Sequence, residues 1–234
     1  MRTSKRTTGD KRRAVSRVAT ALALACAISA CSTSSLLDSD LPVPMHYILA
    51  PLPPAQDATS SAASQIDLAI GRPDLAPGLD TPRIAVLRGR NLDYYRGVQW
   101  GGTALETVQA LLVTSLQDQK LFRSVTPEQT REAGAYMLDS EVRDFQAEYT
   151  EGKNAPDVRV TIVGRLICIA DRTLVDTIAA TALRPARDNR MTAVAEAFEA
   201  AAHEVVRQIA HETAAAVSRD RERVLAIPTP PGSP

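Results

Sequence analysis

The sequence is short of aromatics, cysteines and long apolar runs, and each shortage removes a class of protein. Aromatic residues make up 4% of the 234, as one Trp, five Tyr and three Phe. Three cysteines, at positions 26, 31 and 168, are too few for a disulfide framework. No segment approaches the roughly 20 apolar residues that span a bilayer, which excludes a polytopic membrane protein. Neither sign of charge dominates: 27 basic and 27 acidic side chains cancel, so the chain is not a generally basic nucleic-acid binder. The common enzyme motifs are missing too, with no GxxxxGKS/T, no GxGxxG after a strand, no GxSxG and no HExxH. Of the three histidines, His203 and His211 stand eight apart, whereas metal pairs on a helix stand four apart. No cofactor and no metal is expected. A hydrophobic content of 44% and a charged content of 23% are ordinary for a globular protein and exclude wholesale disorder.

The balanced charge conceals an uneven distribution. Seven basic residues, Arg2, Lys5, Arg6, Lys11, Arg12, Arg13 and Arg17, face one acid, Asp10, before the apolar stretch from Val18 to Ala30. A basic region, a short apolar region and small residues make the layout of a secretory signal peptide over residues 1–30. Its end, Ile28-Ser29-Ala30-Cys31, resembles a bacterial lipobox. That resemblance implies cleavage before Cys31 and a diacylglycerol on its thiol, the best side-chain nucleophile for taking a lipid. Cys26 is the weaker site, because Ala23-Leu24-Ala25 lacks a large aliphatic residue at its first place. Lipid on Cys31 leaves only Cys168, so no intramolecular disulfide can form and the core must hold the fold. Two or three acyl chains anchor firmly at about 0.8 kcal/mol per buried methylene. Ser32 after the cysteine, in place of Asp, favours the outer membrane.

Residues 31–44, CSTSSLLDSDLPVP, read as the lipidated cysteine and a flexible tether. Short strands are expected at His46–Ala50, Ile66–Ile70 and Ile84–Leu87, separated by Pro- and Gly-rich loops. Asn91 to Gly102 carries Tyr94, Tyr95 and Trp100 among glycines, and is expected to precede a helix as an irregular segment. Thr103 and Glu106 then form a capping box. Leu105, Val108, Leu112 and Leu116 follow helical spacing beyond it. Thr126-Pro127 reads as a turn or a short helical start. Tyr136, Leu138 and Val142 begin a long strand whose phase breaks near Phe145, where a bulge is expected. Val158 to Cys168 and Leu174 to Leu183 form a hairpin about Asp171-Arg172. Met191, Val194, Phe198, Ala201, Val205 and Ile209 recur at helical steps through a terminal helix of about seven turns. The domain is expected over 45–218, with 219–234 a charged, Pro-rich disordered tail. Asp139 and Glu141 share a strand face that reads as solvated, and Cys168 reads as an inert core residue. Tyr94, Tyr95 and Trp100 have two readings, packing at the start of the helix or an exposed patch for a partner protein or lipid.

Several pieces resemble, in order, the ABC-type transport auxiliary lipoproteins. They are ISAC, HYILAPL, IDLAIG, APGLDTPRIAV, YYRGVQWGGT, the helix ALETVQALLVTSLQDQKLFRSV and the Ala-rich helix AEAFEAAAHEVVRQIAHE. Gln99 and Gly101 depart from the family, which more often has a basic residue before the Trp and Ala after it. The resemblance implies an α/β (α+β) fold: a mixed, largely antiparallel sheet with two helices packed on one face, in a single small sandwich domain. It implies a non-enzymatic protein at the periplasmic face of the outer membrane, held there by its lipid anchor. The implied partner is a periplasmic mammalian-cell-entry (MCE) domain protein with an inner-membrane permease and ATPase. The implied cargo is phospholipid or another hydrophobic substrate. A homo-oligomeric ring matched to a hexameric partner is one assembly it allows. An envelope-assembly lipoprotein that plugs or chaperones an outer-membrane machine is the alternative. On this reading Leu79, at the tip of the APGLDT loop, and Tyr94, Tyr95 and Trp100 are the candidate partner contacts. Leu79→Asp is then expected to abolish co-purification with an MCE partner while leaving the domain folded.

Overall fold

A computed structural model describes residues 43–54, 62–128 and 134–226. The signal-peptide reading, Cys31, the tether before Val43 and the Pro228–Pro234 tail lie outside the described residues. The elements run β1 (Met45–Tyr47), β2 (Asp67–Ile70), β3 (Asp74–Leu75), β4 (Arg83–Arg88), β5 (Asn91–Trp100), α1 (Ala104–Asp118), β6 (Ser124–Pro127), β7 (Tyr136–Tyr149), β8 (Asp157–Cys168), β9 (Leu174–Pro185) and α2 (Met191–Ala226).

The strands make one mixed sheet built around β7. Along one edge of β7 lies β8, and then β9, both antiparallel. Along the other edge β2, β3 and β4 pair in succession, all parallel. Gly71 N–H to Leu138 O at 3.0 Å and Ala76 N–H to Val142 O at 2.9 Å continue that ladder between the strands. Residues 67–88 are thus one extended pass along β7, interrupted where Pro77–Pro82 loop out. Beyond it, β6 pairs with β2, and β5 then β1 extend from β4. The long pairings are antiparallel and the short ones parallel. Both helices pack on one face, α2 over β8 and β9 and α1 over β2 and β6.

Local sequence explains most elements. At α1 the capping box closes in both directions: Thr103 Oγ1 accepts from Glu106 N–H at 3.2 Å, and Glu106 Oε2 accepts from Thr103 N–H at 2.8 Å. Leu105, Val108, Leu111, Leu112 and Leu116 make its buried stripe. The register of β7 on β8 shifts between Val142 and Asp144, giving the bulge that the phase break near Phe145 implied. Arg172, at φ 60°, turns the β8–β9 hairpin. Gly164 lies on the inner face of β8. A Cβ there would come within 2.9 Å of Leu138 Cδ1, so the missing side chain makes room for Leu138 of the neighbouring β7, with Ile209 Cδ1 of α2 in ordinary contact at 3.7 Å.

Several elements differ from the sequence reading. Asn91–Trp100 is a strand, and its irregularity is a bulge: Arg83 pairs with Gln99 but Ala85 with Tyr94, and Gly97 takes up the excess at φ 69°. Ser124–Pro127 is an outlying strand on β2, where a proline at its end is tolerated. The terminal helix runs to Ala226, beyond the expected end at 218. The charged run from Arg219 continues it because Arg, Glu, Leu and Ala are good helix formers. Cys168 is half-buried at the end of β8, packed against the margin of the core.

The core centres on three rings. Trp100, the single Trp, lies 5.3 Å from Phe145 and 5.1 Å edge-on from Phe198, and the two Phe rings are 5.2 Å apart. The cluster ties β5, β7 and α2 together in offset and edge-to-face geometry. Phe198→Ala is expected to cost about 3–5 kcal/mol, read from urea unfolding. A second contact ties β2 to the segment entering β6. Arg123 Nε donates to Asp67 Oδ1 at 2.8 Å, and Ser124 Oγ donates to the same oxygen at 2.6 Å. The Arg123 hydrogen bond first, and Ser124 second, hold the Asp67 carboxyl at about 2. A carboxyl lowered in the folded state stabilises above its ordinary value of 3.8 and loses that contribution as pH falls toward 2. The pair is partly exposed, so the effect is small. Asp67→Asn should flatten the acid limb of the unfolding midpoint between about pH 4 and pH 2.

Candidate functional site

The four residues proposed as partner contacts divide into two pairs. Leu79 and Trp100 belong to the core, at 4% and 1% exposure. Leu79 sits in a loop, but Gly78 at φ 86° turns the chain back, and Leu79 N–H donates to Ala76 O at 3.0 Å. The apolar side chain is tucked under the loop, so it is no exposed tip. The same loop meets α1 and β5: Ala104 N–H donates to Thr81 O at 3.1 Å and Trp100 N–H to Pro82 O at 2.7 Å. Trp100 takes the packing reading, since an indole is the largest apolar body available to fill the junction of two strands and a helix.

Tyr94 and Tyr95 stay half-exposed on β5. The Tyr94 hydroxyl donates to Gly78 O at 2.7 Å, and the Arg83 guanidinium stacks 3.7 Å from the Tyr94 ring centre. A Cβ on Gly78 would meet Leu92 Cδ2 at 2.6 Å, which that side chain can relieve by turning, so it is the φ of 86° that calls for glycine. The hydroxyls of Tyr95 and Tyr149 stand 3.2 Å apart, and Tyr149 donates to Asn189 Oδ1. Arg88 lies 4.4 Å over the Tyr149 ring. Burial, then the Tyr149 hydrogen bond, push the Tyr95 hydroxyl far above its ordinary range, so it stays protonated. Adjacent strand residues point to opposite sheet faces, so these are two separate clusters, Tyr94 with Arg83 on one face and Tyr95, Tyr149 and Arg88 on the other, each an aromatic surface carrying a cationic group. Such surface suits anionic or polar partner groups beside apolar ones. The arginines are the part missed from sequence. Their spacing along β4 and that of the tyrosines on β5 revealed nothing until the hairpin was folded.

A second surface forms where the chain enters the domain. After β1, Ala50 N–H donates to Glu199 Oε2 at 2.9 Å, and His203 Nε2–H donates to Ala50 O at 2.8 Å. Leu52 N–H then donates to Ser115 Oγ at 2.9 Å, and Gln119 Nε2–H to Pro53 O at 2.8 Å. Residues 50–53 are therefore a strap across α2 and α1, and His203 is a structural donor. The strap leaves Ile48 79% exposed, beside an open groove of about 370 Å³ that Leu49, Pro51, Gly101, Thr107 and Ala110 help to line. A second groove, of about 410 Å³, lies at the far end of α2 between Tyr136, Cys168, Val224 and Leu225. There the Tyr136 hydroxyl donates to Asp220 Oδ2 at 2.9 Å and is pushed up to about 12, first by burial and then by that bond. Glu141 on the outer sheet face pairs with Arg143 at 3.1 Å, an ion pair on a solvated face. Among the described residues no group of three His, Cys, Asp or Glu side chains is placed to hold a metal, and no helix is long and apolar enough to cross a membrane.

Comparison with known proteins bears on this geometry. A family model described as ABC-type transport auxiliary lipoprotein component matches residues 47–210. A crystal structure of a Xanthomonas campestris protein is similar over 76% of this chain and 99% of its own, at 24% identity and a TM-score of 0.67. A second, uncharacterised protein is similar over 73% of this chain and 98% of its own, at 11% identity and a TM-score of 0.57. At such identities both likenesses speak for the fold alone. A search of curated protein sequences finds no match.

Leu79→Asp now has a different expected outcome from the one its loop position suggested. A carboxylate in the core must be neutralised or desolvated, so the variant should unfold at markedly lower urea than the wild type. An unchanged midpoint would return Leu79 to the surface.

Proposed function

The chain belongs to the ABC-type transport auxiliary lipoprotein component family, and from that premise we propose that it is a non-enzymatic subunit serving an MCE-type transporter. It is anchored at the periplasmic face of the outer membrane through lipid on Cys31, and it helps move phospholipid or another hydrophobic substrate between membranes. The family match over 47–210 carries this reading. Three features of the chain support it. The lipobox at Cys31 supplies an anchor, and the chain has no P-loop motif of its own, which leaves ATP hydrolysis to another subunit. The space between sheet and helices is filled by the three aromatic rings and by the small residues of α2, such as Ala193, Ala197, Ala201 and Ala202. That packing suits a scaffold that works through its surface. Two surfaces, Tyr94 with Arg83 and Tyr95 with Tyr149 and Arg88, are the candidate partner contacts on this reading.

The test is a detergent pull-down of the full-length protein from its native membranes, with bound proteins and lipids identified by mass spectrometry. Recovery of an MCE-domain protein with its permease and ATPase is expected, and Cys31→Ala should shift the protein out of the outer-membrane fraction. Recovery of an outer-membrane barrel alone would replace the proposal with an envelope-assembly role.

A further inference from the structure

β9 pairs with β8 along one edge, and among the described residues no strand lies along its other edge. In an antiparallel ladder alternate residues direct their N–H and C=O groups to opposite sides, so half of the β9 backbone groups point outward. Edge strands of this kind are usually blunted by charge, proline or a bulge. Thr177 to Leu183 contains no charge and no proline, and its ladder to β8 is regular from Asp157–Pro185 to Leu166–Asp176. Thr177, Ala179, Thr181 and Leu183 are exposed on the outer sheet face. The strand is a free, flat template for one more strand.

The charges at its two ends say which strand. Asp176 and Arg184 stand four residues either side of Ala180 and on the same sheet face. We propose that a second copy of this chain docks antiparallel on β9, about a two-fold axis at Ala180. In that register Asp176 faces Arg184 of the second copy, and Arg184 faces its Asp176. Shifting the register by two residues in either direction removes both pairs and keeps no other. The helices agree with this. Asp176 pairs with Arg219 of α2 at 2.9 Å, and Arg184 pairs with Glu204 of α2, which fixes the α2 side that faces the free edge. All four side chains remain partly exposed. Because α2 lies over β8 and β9, the two copies would set their helices two strand spacings apart, about 10 Å, where helices pack. Run antiparallel, they bring Glu204 of each copy beside Arg219 of the other. A strand edge and two sets of opposite charges are therefore matched by one symmetry operation. The proposal does not depend on the transport reading.

The experiment measures the mass of the full-length protein in detergent by sedimentation and by light scattering after size exclusion. A dimer is expected for the wild type. Arg184→Glu or Asp176→Arg should each weaken it at least tenfold, by setting like charges opposite each other twice, and the double variant, which restores opposite charges across the seam but not toward Arg219 and Glu204 of α2, should recover part of it. Circular dichroism checks that each variant is folded. Independently, a photo-crosslinking amino acid at Thr181 in otherwise wild-type protein, in cells, should give an adduct of twice the chain mass. A monomeric wild type, a dimer indifferent to both single variants, or an adduct with a different protein would each overturn the proposal.

Discussion

The three-ring cluster is the contact on which the rest of the fold depends. Trp100, Phe145 and Phe198 come from a strand of the N-terminal half, the central strand and the terminal helix. In a chain with so few aromatics, the only Trp and two of the three Phe are committed to one point. With no disulfide available among the described residues, apolar burial at this junction does what a covalent staple does in many small secreted domains. The loop carrying Leu79, the bulge at Gly97 and the entry to α1 are all arranged around it. The peripheral surfaces, the tyrosine and arginine clusters and the strap, are what remains once that junction is filled.

What could be read from the sequence was what local chemistry determines. The α1 start was legible because a capping box acts between residues three apart, and its buried stripe because helical period repeats every turn. The bulge near Phe145 showed as a break in a two-residue period. The terminal helix was legible through its apolar steps, but its end was not. A charged run reads as solvent-loving whether or not it is helical, and Asp220 binding Tyr136 is a contact between residues far apart in sequence. The glycines of Asn91–Trp100 signal turns to any local reading, and only its pairing with β4 and β1 shows that they serve a bulge. Leu79 was placed at a loop tip because Pro and Gly flank it. Nothing local says that the loop folds inward.

The functional surface was less legible than the fold for the same reason. Tyr94 and Tyr95 were identifiable as scarce residues, yet the arginines that stack on Tyr94 and Tyr149 come from β4, and the ring that meets Tyr95 comes from β7. Clusters assembled from three strands leave no spacing rule in the sequence. Family membership supplies the kind of role, and the tyrosine and arginine clusters are where we propose that it is carried out.

The order of pairing along β7 has a consequence for how the chain reaches this state. β2, β3 and β4 lie near the start of the domain, and each needs a stretch of β7 that follows it by roughly sixty residues or more. Closing such loops costs entropy before any strand pairing repays it, and folds rich in distant pairings assemble slowly. The β7–β8–β9 meander, by contrast, is local and can form first. The N-terminal strands, paired only to β7 and to one another, depend on that meander for the edge they settle on. A chain that emerges from the N-terminus onward therefore holds its first strands unpaired until its second half has followed.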